Sequence, residues 1–178
     1  MEYEFEFARF PLAYLITIRC YGTWLHGDSR GSVDRHGHNV YGTPRLAPNA
    51  RLEHAMRRGL KHKPIVLSKE QRVVIESAIR EVCVNRHYQL LAVNARTNHV
   101  HAVVSARVRP EGIVGAFKSY ATRRLREAGL IGLDVRPWVR GKSAKRLWKP
   151  RNVSRAIEYV LYGQGDIAYV LSDDDEDE

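Results

Sequence analysis

An α+β fold of ferredoxin-like type, an antiparallel sheet covered by helices, is predicted by three observations on this 178-residue chain. Strand-like and helix-like segments follow one another in the order β, α, β, β, α, β, α. Residues 88 to 95 and 99 to 106 are separated by so short a polar turn that they read as a hairpin. The two clearest helices also carry their own start or stop signals in the sequence. At 44% apolar residues the chain can fill one packed core. Residues 1 to 172 therefore read as one domain with a long loop insertion at about 21 to 49, and residues 173 to 178 as an acidic disordered tail.

Each element has a local cause. LAYLITIRC (12 to 20) alternates and is β-branched, which makes a strand. The stretch from Tyr21 to Asn49 is dense in Gly, Asp, His and Pro, and loops of that length are usually functional or disordered. A weak basic helical pattern occupies residues 50 to 60. Ser68 and Gln71 form a capping box that opens a helix running to about Arg86. After the hairpin, Pro110 and Glu111 open a further helix that Gly129 ends. Strand character around Arg146 to Lys149 leads to a last helix from about Asn152 to Gln164.

The net charge is +9 although the last six residues, Asp173 to Glu178, are all acidic; without those six charges residues 1 to 172 carry +15. So basic a body suits a polyanion, because each Lys or Arg that neutralises a phosphate releases a counterion. Nucleic acid fits better than a lipid surface, since no basic amphipathic helix with a broad aromatic face is present. The amino-terminal MEYEFEFARF is acidic where a signal peptide is basic, and no apolar run approaches the roughly 20 residues of a membrane span. A cytoplasmic protein with no membrane partner is expected. Cys20 and Cys83 belong to no metal or redox spacing and read as reduced core residues.

Along HVHAVV, alternation puts His99 and His101 on one face of a strand. Two adjacent imidazoles make half a metal site, although on spacing alone a hydrogen-bonded pair of histidines is equally consistent. Farther on, the stripe Val153, Ala156, Ile157, Val160 and Leu161 leaves Tyr159 off the apolar face of the last helix, and Tyr162 escapes it too. Tyr120 lies at the edge of the stripe of its own helix, where core packing is the expected fate. Seven lysines and arginines and no acid lie between Arg136 and Arg151, interleaved with Trp138 and Trp148, which suits phosphate contact with base stacking. Arg140, Lys142 and Arg146 from that run, with Lys118, Arg123 and Arg124 from the preceding helix, are the candidate nucleic-acid contacts.

Asn98-His99-Val100-His101, the basic helix FKSYATRRL and AIEYVLYGQG, whose Tyr159 stands 58 residues after His101, resemble together the HUH (histidine, hydrophobe, histidine) single-tyrosine transposases of small insertion sequences and their REP-associated relatives. The resemblance spans about residues 12 to 168. It implies a metal-dependent single-strand DNA endonuclease and strand-transferase, acting on single-stranded or hairpin DNA, as a homodimer. It implies Tyr159 as nucleophile, forming a 5′-phosphotyrosyl intermediate, and Mg²⁺ or Mn²⁺ held by His99, His101 and an amide. The family places that amide four residues after the tyrosine, whereas Gln164 lies five after Tyr159, so its convergence requires a bulge or helix end at Gly163.

Two other classes stay open on sequence: a domesticated, non-cleaving protein that binds hairpin or single-strand DNA, and a zinc hydrolase with a His-x-His site, for which the usual further ligands are lacking. TWLHGDSRG (Thr23 to Gly31) resembles a segment of one branch of HUH-transposase-like proteins, with no role assigned.

Overall fold

Strand β1 (Ala13–Arg19) lies inside the sheet, and its near-continuous burial follows from elements packed on both of its faces. The computed structural model describes residues 10–29, 47–141 and 143–163. Gln164, Lys142, the tail 173–178 and the loop segment 30–46 lie outside these described residues. Four strands, β1, β2 (Gln89–Ala95), β3 (His99–Ser105) and β4 (Ser143–Leu147), pair antiparallel in the order β2-β3-β1-β4. That is the order a split βαβ repeat generates, so the α+β ferredoxin-like fold is the fold of this chain.

Helix α1 (Ala50–Arg58) buries none of its residues and is opened by Asn49, whose side chain accepts from the Leu52 amide. Gly27 (φ +90°) passes so close to this end that an added Cβ would sit 2.3 Å from the Asn49 carbonyl oxygen. Only glycine meets both demands there. Helix α2 (Lys69–Asn85) starts on the capping box, with Ser68 and Gln71 each bonded to the other's backbone. Helix α3 (Pro110–Glu127) begins with Pro at its first turn and ends before Gly129 (φ +69°).

Two departures from the sequence reading concern the last third of the chain. The fourth strand covers Ser143–Leu147 rather than Arg146 to Lys149, because its partner is the first strand and Leu147 must reach Ala13. Helix α4 (Pro150–Leu161) begins two residues earlier than expected, with Pro150 in its first turn, and ends short of Gln164. Proline at that position is pre-organised for a helix start, a signal the apolar stripe alone does not carry.

Helices α2 and α3 cover one face of the sheet, closing a core that includes Tyr14, Ile16, Ile18, Ile75, Ile79, Val100, Ala102, Val104, Ile113 and Phe117. On the other face, among the described residues, α4 lays Ala156 and Val160 on Ala13, Leu15, Ala92, Val103 and Leu147. Cys20 and Cys83 are buried free thiols, pushed by burial up to about 12 and about 11. No helix among the described residues is long and apolar enough to cross a membrane.

Candidate active site

Alternation along β1 puts Thr17 and Arg19 on the same face as Ala13 and Leu15, beyond the part that α4 covers. Register then sets them opposite the histidines: Thr17 faces His101 and Arg19 faces His99 across β1 and β3. On the other side of β3, Asn94 faces His101. A bulge between Leu90 and Ala92 sets the phase of β2 here, so that Val93 enters the first core while Asn94 comes to the histidine side. This end of the second face is thus a polar floor of Thr17, Arg19, Asn94, His99 and His101.

The two imidazoles lie edge to face with centroids 4.6 Å apart. His101 Nδ1 is 2.9 Å from Thr17 Oγ1, and His99 Nδ1 is 2.6 Å from Asn98 Oδ1. His101 is only 7% exposed. Burial, reinforced by the neighbouring His99, lowers its pKa to about 3, against a hydrogen bond from the ring to the Ile16 backbone that favours the proton. Its ring is therefore neutral at physiological pH, as a metal ligand must be.

Tyr159 reaches this pair from α4. Its ring packs partly against the second core, lies edge to face with His101 at 5.3 Å, and carries its hydroxyl 3.4 Å from His101 Nε2. The helix is tied down beside it: Asn94 Nδ2 donates to the Val160 carbonyl at 3.0 Å. Helical hydrogen bonding then loosens, since the Gly163 amide donates to both the Glu158 and the Tyr159 carbonyls. An added Cβ on Gly163 would sit 2.9 Å from Tyr159 Cα and 3.1 Å from its ring. The helix ends at Leu161, ahead of Gly163, while Gln164 itself lies outside the described residues.

The competing tyrosines are elsewhere. Tyr120 packs against the first core on the far side of the sheet, with the Arg123 guanidinium 4.6 Å over its ring. Tyr162 is 83% exposed, at the cap of α4.

The predicted DNA contacts scatter over two faces. Lys118 donates to the Val139 and Gly141 carbonyls and so holds the segment ahead of β4. Arg124 makes ion pairs with Glu81 and Glu127. Arg123 and Arg140 are exposed, and Arg123 and Lys118 help to line a concavity on the outside of α3. Arg146 pairs with Tyr14 and so belongs to the face away from the histidines, whereas Lys145, opposite Leu15, belongs to theirs. Lys142 lies outside the described residues. Trp138 donates to Thr122 Oγ1 and packs on α3, while Trp148 is 51% exposed.

Sequence reading missed Thr17, Arg19, Asn94, Asn98 and Lys145. The alternation of β1 carried Thr17 and Arg19 onto one face, but only register shows which face holds the histidines. The Thr23–Ser29 part of the loop packs at the same end of the sheet. Thr23 Oγ1 donates to the Cys20 and Asn98 carbonyls, and Trp24 stacks on the Arg19 guanidinium at 4.6 Å. The segment thus braces the turn that leads into His99.

Among the described residues no cluster of three His, Cys, Asp or Glu side chains gathers to hold a metal. What is present is two imidazoles on one face, each with Nδ1 beside an oxygen of a neighbour, Thr17 Oγ1 for His101 and Asn98 Oδ1 for His99. This pair fits a divalent ion that keeps open positions for phosphate and water.

The sequence pattern of the family described as transposase IS200-like matches residues 55–156, which takes in both histidines and stops before Tyr159. A solved structure of a REP-associated tyrosine transposase bound to a REP hairpin is similar at 10% identity and a TM-score of 0.44, over 83% of this chain. The chain spans 63% of that protein's length. No curated protein matches it.

Proposed function

This chain belongs to the IS200-like transposase family, and from that premise we propose that it cleaves and rejoins single-stranded or hairpin DNA with Tyr159 as nucleophile. The observation that carries the proposal is the approach of the Tyr159 hydroxyl to 3.4 Å from His101 Nε2, across 58 residues of sequence. A phenol far from any catalytic group is a poor nucleophile at neutral pH, with a pKa near 10.

In this reading Tyr159 Oη attacks the phosphorus, the P–O3′ bond breaks, the 3′ oxygen leaves as a hydroxyl after taking a proton, and a 5′-phosphotyrosyl link remains. Attack by a 3′-hydroxyl on that link reverses the step on another strand. Mg²⁺ or Mn²⁺, when bound, polarises the phosphate and offsets the charge developing on it. His99 and His101 would hold it through Nε2, with the Gln164 amide as the candidate third donor. A nitrogen that binds a cation cannot also take a proton, so His101 acts as ligand and the phenol proton leaves to solvent. Arg19 and Lys145, on the same face, supply positive charge for the strand. The homodimer that the family resemblance implies is part of the same proposal.

The test is covalent trapping of labelled single-stranded and hairpin oligonucleotides with Mn²⁺. Wild-type protein and Tyr120→Phe form an adduct, with Tyr120→Phe within about tenfold of wild type, or roughly 1.4 kcal/mol of barrier. Tyr159→Phe, His99→Ala and His101→Ala form none, yet bind DNA with little change because phosphate contacts supply most of the affinity. DNA binding without an adduct in the wild type would favour the non-cleaving class, and an adduct surviving in Tyr159→Phe would remove Tyr159 from the role.

A further inference from the structure

We infer that Thr17 and Asn98 are positioning residues that set the tautomers of His101 and His99, keeping the proton of each ring on Nδ1 and presenting both Nε2 lone pairs to a divalent cation. The inference deepens the metal reading above and rests on it for the identity of the ligand.

Chemistry fixes the direction at His99. An amide oxygen can only accept, so at 2.6 Å from Asn98 Oδ1 the Nδ1 atom must be the donor, which leaves Nε2 unprotonated in the neutral ring. Asn98 is itself held by its backbone, whose carbonyl accepts from the Cys20 amide at 2.9 Å and from Thr23 Oγ1 at 3.3 Å. The turn that delivers the histidines to the strand therefore also orients the first of them.

At His101 the partner is a hydroxyl, which can donate or accept, and the surroundings choose between the two. Nε2 looks toward the Tyr159 hydroxyl, a phenol and so a better proton donor than acceptor. With Nδ1–H donating to Thr17 Oγ1, the ring accepts at Nε2 and donates at Nδ1, and each nitrogen has a partner suited to it. The opposite tautomer would ask the phenol oxygen, a weaker acceptor than the threonine hydroxyl, to accept from Nε2–H while Thr17 donates. Partners of this kind fix ring orientation as well as proton position, and their loss typically lowers metal affinity by about 10- to 100-fold.

The test reads proton position and metal affinity separately. Long-range ¹H–¹⁵N spectra of the metal-free protein, with ¹⁵N-labelled histidine, should show both rings protonated at Nδ1. Thr17→Val, close in shape but without the hydroxyl, should move His101 toward the Nε2–H form and weaken Mn²⁺ binding at least tenfold by calorimetry. Asn98→Leu should do the same at His99, while Thr17→Ser and Asn98→Asp, which keep an acceptor, should retain the wild-type spectra. Nε2–H rings in the wild type, or unchanged spectra in Thr17→Val and Asn98→Leu, would overturn the inference. These spectra decide it whatever the cation does, and wild-type protein that takes up no Mn²⁺ counts instead against the metal reading.

Discussion

Residues that touch no substrate set the geometry of those that would. Gly163 is the sharpest case, because a Cβ there would sit inside normal contact distance of the Tyr159 backbone and ring. Neither the helix end nor the tyrosine can yield without moving the hydroxyl from its place by His101. Gly163→Ala should therefore lower the rate of adduct formation by tenfold or more, about 1.4 kcal/mol of barrier, while leaving DNA affinity near wild type. Single-turnover cleavage beside an equilibrium binding assay measures both; equal rates in the two proteins would show that the close approach is incidental. That His99 and His101 share a strand face and that Tyr159 stands off the apolar stripe of its helix were legible in the sequence because they are local patterns. Thr17, Asn94 and Asn98 were not, because a lone polar residue in or beside a strand gains its meaning only from the neighbour that register assigns to it.

At the scale of elements, α2 and α3 are joined by an ion pair as well as by apolar packing. Arg124 on α3 contacts Glu81 on α2 and also Glu127 a turn along its own helix. The hydrogen bond from Arg124 holds the Glu81 carboxyl below its ordinary range. A depressed carboxyl contributes stability above its unfolded pKa and loses it as pH falls through its folded pKa. Arg124→Gln should thus melt below wild type at neutral pH, with the gap closing as pH drops through and below about 4.5, the ordinary carboxyl value. Thermal melts over pH 3 to 7 check it, and a gap that stays constant would mean that the charge pair contributes nothing. The order of elements and most of their limits followed from caps and periodicity. The limits of β4 did not, because a short basic strand has no pattern of its own and is defined by its pairing with β1.

At the scale of the molecule, the basic residues divide between two sides of one sheet. Lys145 and Arg19 share the histidine face, whereas α3 with Arg123 and Arg124 covers the opposite one. Binding of a short single strand that spans only the site should weaken with salt at about 0.7 in the log–log slope per phosphate contacted. Lys145→Ala should lower that slope by about one contact. Arg146→Ala, on the far face, should change it less; the reverse ranking in a fluorescence-anisotropy salt series would place the strand on the wrong side here. Composition gave the total charge, but the sequence could not divide it, because neighbouring basic residues on a strand point to opposite faces.

The position of β1 inside the sheet also governs when the protein becomes competent. Its neighbours are β3, more than 80 residues later, and β4, more than 120 residues later, and closing such loops costs entropy before any pairing returns it. This strand must therefore wait, exposed and apolar, for partners made much later. Tyr159, the proposed nucleophile, arrives later still, on α4. A nascent chain that has already paired β1 with β3 carries its histidines side by side but not yet Tyr159, so under the proposed function it would hold a cation before it could cut a strand.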